Sequence, residues 1–215
     1  MAVKREYSAG KFMIEIEGVS VGFLLAVEGG EPVASVLSES DAVGDPVRKH
    51  LGSVTYDPIR MSFGAGMGAP LYQWMTDWLT GEQPIRSGAI VFLDYNFKER
   101  SRLEFDKASI TEVEFPAVDA ASREEGFFSV SLQPQVTRSN TASAGAVKSS
   151  FGGRSRKLTQ ASFSLKIGNL PVLRVNKIDL LTVKGPLARG EVRGLRIPNL
   201  AFTLPEGDAK EWFDW

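Results

Sequence analysis

Cysteine is absent from this 215-residue chain. Its absence excludes a disulfide framework, thiolate catalysis and cysteine-ligated zinc, and it suits synthesis in a reducing cytoplasm. Histidine is scarce: His50 is the only one. It stands beside Arg48 and Lys49 with no evident serine nucleophile and no second imidazole, so neither a triad nor a two-histidine metal site can be assembled. An excess of one charge is also missing. The 25 basic and 26 acidic residues leave a net charge of −1, which gives no ground for wholesale nucleic-acid binding. No apolar run approaches the roughly 20 residues that span a bilayer. The opening Met1–Tyr7 has no apolar stretch behind Lys4 and Arg5, so no secretory signal is expected. A membrane anchor is not expected either.

What the chain does contain is alternation. Apolar residues make up 43% of the sequence, enough for a sizeable core at this length. Phe12 to Glu17 alternates apolar and charged residues, which predicts a strand with one wet face ended by Gly18. Val21 to Val27 reads as its more buried return. Glu28-Gly29-Gly30-Glu31-Pro32 is turn chemistry, and Val33 to Leu37 suggests a short strand. Residues 38–53 are polar and predict a long loop leaving the body, a length uncommon unless it serves a purpose. Ile59 to Phe63 is a strand led by Pro58. Residues 69–79 give the clearest helix: Pro70 suits the first turn, Leu71, Trp74, Met75 and Trp78 share one stripe, and Gly81 ends it. Strands are then expected at 89–93 and 101–105 around Asn96-Phe97-Lys98-Glu99, and at 110–115 and 127–132.

Residues 137–157 are small, polar and basic and read as a linker. Beyond it the pattern repeats. Phe163-x-Leu165-x-Ile167-Gly168 echoes Phe12-x-Ile14-x-Ile16-x-Gly18, and Pro198-x-Leu200-x-Phe202-x-Leu204 echoes Pro58-Ile59-x-Met61-x-Phe63. Each second motif precedes a pair of tryptophans, Trp74 with Trp78 and Trp212 with Trp215. The division expected is a β domain over 1–136, a linker over 137–157 and a partial second copy over 158–215. That copy is either completed by another chain or continues past Trp215.

The order of these features resembles the tail-tube family shared by contractile phage tails, extracellular contractile injection systems and the secretion-system tube. The resemblance rests on residues 10–136: Gly52 to Phe63, the helix closing on Trp78-Leu79-Thr80-Gly81, the strand Gly88 to Asp94, and the run Ala108 to Gln133 with its internal Phe115-Pro116. It implies a mainly β, barrel or sandwich fold with one short flanking helix. It further implies a non-enzymatic protein without cofactors, in which copies join sheets edge to edge into a hexameric ring, or a pseudo-hexameric trimer if both units count. Residues 38–57 would be the loop reaching the next ring, with Asp41, Val43, Asp45, Val47 and His50 as its contact candidates. The wet faces at Glu15 and Glu17, or at Arg102, Glu104 and Asp106, would look into the channel or outward. Sheath, baseplate or spike proteins would be neighbours and the lumen would hold cargo. Assembly would occur in a bacterial cytoplasm, before incorporation into a virion or injection particle. The extra half and the unfamiliar segment 24–38 leave open a repeating tube subunit or a specialised ring at the base or tip.

Other chemistries have weaker support. Gly64-x-Gly66-x-Gly68 lacks the lysine ending and βαβ context of a phosphate loop. The carboxylate pairs Glu15/Glu17 and Glu124/Glu125 suit a solvated surface better than acid–base work. Arg154, Arg156 and Lys157 read as solvated linker charge. The tryptophans could line the pocket of a small-ligand-binding β-barrel, which is the rival function. Their helical spacing instead predicts that Trp74, Trp78, Trp212 and Trp215 pack helices onto sheets.

Overall fold

The computed structural model describes residues 11–39, 48–141, 158–168, 170, 172–185 and 194–214. In chain order the strands are β1 (Lys11–Ile16), β2 (Val19–Leu24), β3 (Ala26–Glu28), β4 (Pro32–Glu39), β5 (Arg48–Tyr56) and β6 (Ile59–Phe63). The helix α1 (Ala69–Leu79) follows, then β7 (Arg86–Leu93), β8 (Glu99–Phe115), β9 (Val118–Asp119), β10 (Phe128–Gln133) and β11 (Val136–Thr141). The C-terminal part adds β12 (Lys177–Ile178), β13 (Leu181–Lys184), β14 (Phe202–Thr203), a 3-10 turn at Glu206–Asp208 and the short helix α2 (Lys210–Phe213).

The antiparallel strands form two sheets that share members. The main path runs β2-β1-β7-β8-β10-β6-β3. Because β2 passes into β3 through Leu25, whose amide donates to the Ser62 carbonyl at 2.8 Å, the path returns on itself. A closed circuit leaves few backbone groups in search of partners. The β1–β2 hairpin turns on Glu17 and Gly18, with φ of 51° and 78°, the left-handed pair that matches strand twist.

The centre of the architecture is β8. Its first part pairs β7 and its second part pairs β10, so one strand belongs to both sheets. The expected strands 101–105 and 110–115 are therefore one element. Its bend lies at Lys107, with φ of 49°, where the register against β7 slips between Arg86 and Gly88. Ser87 Oγ receives the Lys107 amide at 3.0 Å and donates to Asp106 Oδ1 at 2.6 Å. That satisfies the amide a bulge would otherwise orphan.

The core lies between the sheets and α1: Ile14, Ile59, Met61, Phe63, Leu71, Trp74, Trp78, Ile90, Val113, Val130 and Leu132 are fully or almost fully buried. A second cluster sits on the other face of β1 and β7, where Met13, Ala89, Val91 and Leu93 are covered by Phe23 and Phe97. The expected wet face of β1 is therefore dry only at Met13, since Lys11 is exposed and Glu15 is half-buried.

Three further expectations are corrected. Residues 38–53 are not a loop throughout: β4 and β5 pair from Pro32–Tyr56 to Glu39–Arg48. Ser38, Gly52 and Ser53 hide the alternation, while main-chain pairing needs none of it. The linker begins later than 137, since Val136–Thr141 is β11 and pairs with β8; residues 142–157 lie outside those described. Phe163 to Ile167 forms no strand, unlike its counterpart in β1. The strands of the described C-terminal residues join the first body, β13 along β8 and β12 along β9.

Candidate functional site

The surfaces that call for partners are a ribbon and a sheet margin. The ribbon β4–β5 is a separate two-stranded sheet. A two-stranded ribbon is marginal in water unless a further strand or an apolar surface covers it. Here Val33, Val36, Leu37, Leu51 and Val54 are all exposed, Leu51 at 79%. The root of the ribbon is firm. Asp57 N–H donates to the Glu31 carbonyl at 2.9 Å, Gln133 Nε2 donates to the Tyr56 carbonyl at 2.9 Å, and buried Thr137 donates to the Gly30 carbonyl at 2.6 Å. Gly29 and Gly30, at φ of 83° and 84°, make the chain turn into it.

Beside that root lies β11. It uses one margin on β8, and residues 138–141 are exposed. Among the described residues no strand pairs its other margin, and an edge of this kind is a template for another chain. The loop candidates fall as follows. His50 is exposed in β5 opposite Leu37, on the ribbon and not on a loop, while Asp41, Val43, Asp45 and Val47 lie outside the described residues.

The tryptophans divide. Trp74 and Trp78 are buried to 0% and 2% exposure beneath α1, and Trp74 Nε1 donates to the Pro84 carbonyl at 3.0 Å. Trp78 nevertheless borders a partly open cavity of about 340 Å³ together with Gly81, Glu82, Gln83, Gly194 and Leu195. Trp212 packs against Phe202 with centroids 4.7 Å apart, and Trp215 lies outside the described residues. Of the glycines before α1, Gly68 serves close approach: its amide donates to the Val21 carbonyl at 2.7 Å, so that N–H is spent, whereas a Cβ at Gly64 would meet nothing within 4 Å. Tyr72 donates to the Ala65 carbonyl at 2.9 Å, and burial raises its pKa.

The carboxylate pairs hold structure. Glu15 lies 3.5 Å from Arg102, and Glu17 lies 3.2 Å from Arg86. Arg102 also binds both oxygens of Glu99, at 2.6 and 3.2 Å, and that contact above all raises its pKa. Arg102 stands across from Val91, on the side of the second cluster. Glu124 and Glu125 fix backbone instead, with Glu125 bridging to Thr159. Among the described residues no three or more His, Asp or Glu side chains are grouped to hold a metal, and no helix is long and apolar enough to cross a membrane.

The feature least visible in the sequence is the seat of the C-terminal part. Strand β13 continues along the margin of β8 where β7 stops, pairing Leu181–Phe115 to Lys184–Glu112. Lys184 reaches Glu112 at 3.2 Å, Val183 is buried, and Gly185 faces the Trp78 indole so closely that an added Cβ would come to 2.9 Å. Apolar alternation over four residues was the only available signal.

The same fold occurs in solved contractile machinery. A chain of the anti-feeding prophage tube terminating cap matches with a TM-score of 0.56 at 19% identity, over 66% of this chain and 95% of that one. A chain of the PVC sheath-tube complex in the extended state, an extracellular contractile injection system, matches at 0.56 and 15%, over 65% and 95%. A chain of the PVC sheath/tube terminator matches at 0.55 and 16%, over 65% and 100%. The fold is tail-tube-like, as the order of sequence features implied. No protein-family model matches the sequence, and no curated protein is significantly similar to it.

Proposed function

We propose that this chain is a non-enzymatic structural component of the tube of a contractile injection machine, and that it acts by closing into rings. The observation that carries this is the pairing of a tail-tube-like fold with an open β11 margin and a ribbon whose apolar residues stand in water. Edge-to-edge continuation by identical neighbours would satisfy β11, and closure by rotation would end the growth. The ribbon would reach a neighbouring copy, a role for which 32–39 and 48–56 are better suited as paired strands than as a loop.

Six copies per ring fit better than three, because the described residues hold one closed sandwich per chain. A specialised ring at the base or tip fits better than the repeating tube. About a third of this chain is extra to the tube and the tube-terminating chains alike, and an added part of that size suits a ring with neighbours of its own. Neighbouring rings, sheath or baseplate proteins would be its partners and the lumen a path for cargo. Assembly would take place in the bacterial cytoplasm, ahead of incorporation into a phage or injection particle.

Light scattering after size-exclusion chromatography, with negative-stain microscopy, tests this. Rings with a central hole and a mass of six chains are expected. A monomer that persists at millimolar concentration would remove the ring altogether.

A further inference from the structure

The ribbon and the C-terminal part lie on opposite margins of β8. The ribbon is tied to the β10–β11 side, through Tyr56 on Gln133 and Gly30 on Thr137. The C-terminal part is tied to the other side, where β13 extends the line of β7. Each exposes apolar surface that the other described residues leave uncovered. On the ribbon these residues are Val36, Leu51 and Val54; on the C-terminal part they are Ile197, Leu200 and Phe213, the last exposed at 88%. Patches of this kind mark contact sites.

Charge and backbone add complementarity. Strand β5 carries exposed Lys49, whereas Glu206, Glu211 and Asp214 are exposed around Phe213. The small sheet β14-β12-β9 ends on β14 among the described residues, and a ribbon short of a third strand can pair with such a margin.

We infer that the ribbon of one copy seats on the C-terminal part of the next, with Leu51 and Val36 against Phe213 and Leu200 and with Lys49 facing Glu211. This rests on the ring proposed above and assigns it a specific joint. Because the two surfaces differ, the contact is heterologous, head to tail, and compatible with closure by rotation. The receiving surface is the part of the chain beyond the tail-tube-like body, so the joint is private to chains that carry such a part.

Disulfide trapping is clean here, because the chain has no cysteine of its own. Full-length L51C and full-length F213C are mixed, oxidised mildly and run without reductant. A mixed dimer dominating both self-linked species is expected. Self-linked L51C alone, or rings that form without any mixed dimer, would overturn the joint. In parallel, Phe213→Asp should weaken association by on the order of 10- to 100-fold. Lys49→Glu should weaken it by on the order of tenfold, and adding Glu211→Lys should restore it. Every substituted side chain is exposed, so unchanged melting temperatures confirm folding. If wild-type and Phe213→Asp form rings equally well, the joint is wrong and the ring stands. If the wild type never associates, both fall.

Discussion

At the scale of single residues, the fold depends on a few side chains whose surroundings leave no alternative. Trp74 is wholly buried and its indole N–H is used. Trp74→Ala should therefore cost about 3–5 kcal/mol in chemical denaturation, while Trp74→Phe should cost less and reveal the hydrogen bond. Asp94 governs the β7–β8 hairpin. Its carboxylate accepts the amides of Lys98 and Asn96 at 2.9 and 2.8 Å and meets Arg100 at 2.8 Å. The Lys98 amide does most to hold its pKa below the usual carboxylate value. A depressed pKa means stability that is present above the unfolded-state value and lost as pH falls through the folded one. Melting temperature should thus drop below about pH 4, and Asp94→Asn should flatten that drop without erasing it. Trp74 was legible in the sequence because helical spacing gives a burial stripe. The role of Asp94 was not, since an aspartate before a turn looks the same whether or not it collects amides.

At the scale of elements, legibility followed periodicity. Helix α1 was readable from Pro70, the stripe and Gly81, β1, β6 and β10 from alternation, and β7 from its unbroken apolar run Ala89 to Leu93. The ribbon was missed in part because Gly52 and Ser53 interrupt β5 and a bulge shifts its register. The unity of β8 was missed because Asp106-Lys107 resembles a break. Ser87→Ala should test that bend: removing the hydroxyl that serves both Lys107 and Asp106 should cost about 1–3 kcal/mol in denaturant titration. The position of β13 was illegible because it depends on the exposed margin of β8, a property of the folded body. Val183→Asp should release it, and hydrogen exchange should then speed up at Thr111 and Glu112 to Phe115 while β1 and β2 keep their protection.

At the scale of the whole molecule, the sequence order carried the fold further than any motif did. Strand, single helix and long strands in that succession were enough to imply a tail-tube-like body. The assembly surfaces were less legible, because an open margin exists only once neighbours have been counted. Leu51→Asp should change the stability of the chain by no more than about 0.5 kcal/mol in denaturant titration and abolish rings in sedimentation velocity. Loss of folding instead would mean that the ribbon supports its own copy.

Strand β8 has a mechanical consequence. Two stacked sheets pressed along a common axis can fail by gliding over one another, as cards do. Here one continuous backbone is woven into both layers, so gliding would require tearing a ladder of hydrogen bonds or breaking the chain itself. A body stitched in this way resists shear as a single piece, which is the property that the proposed place in a tube would call for.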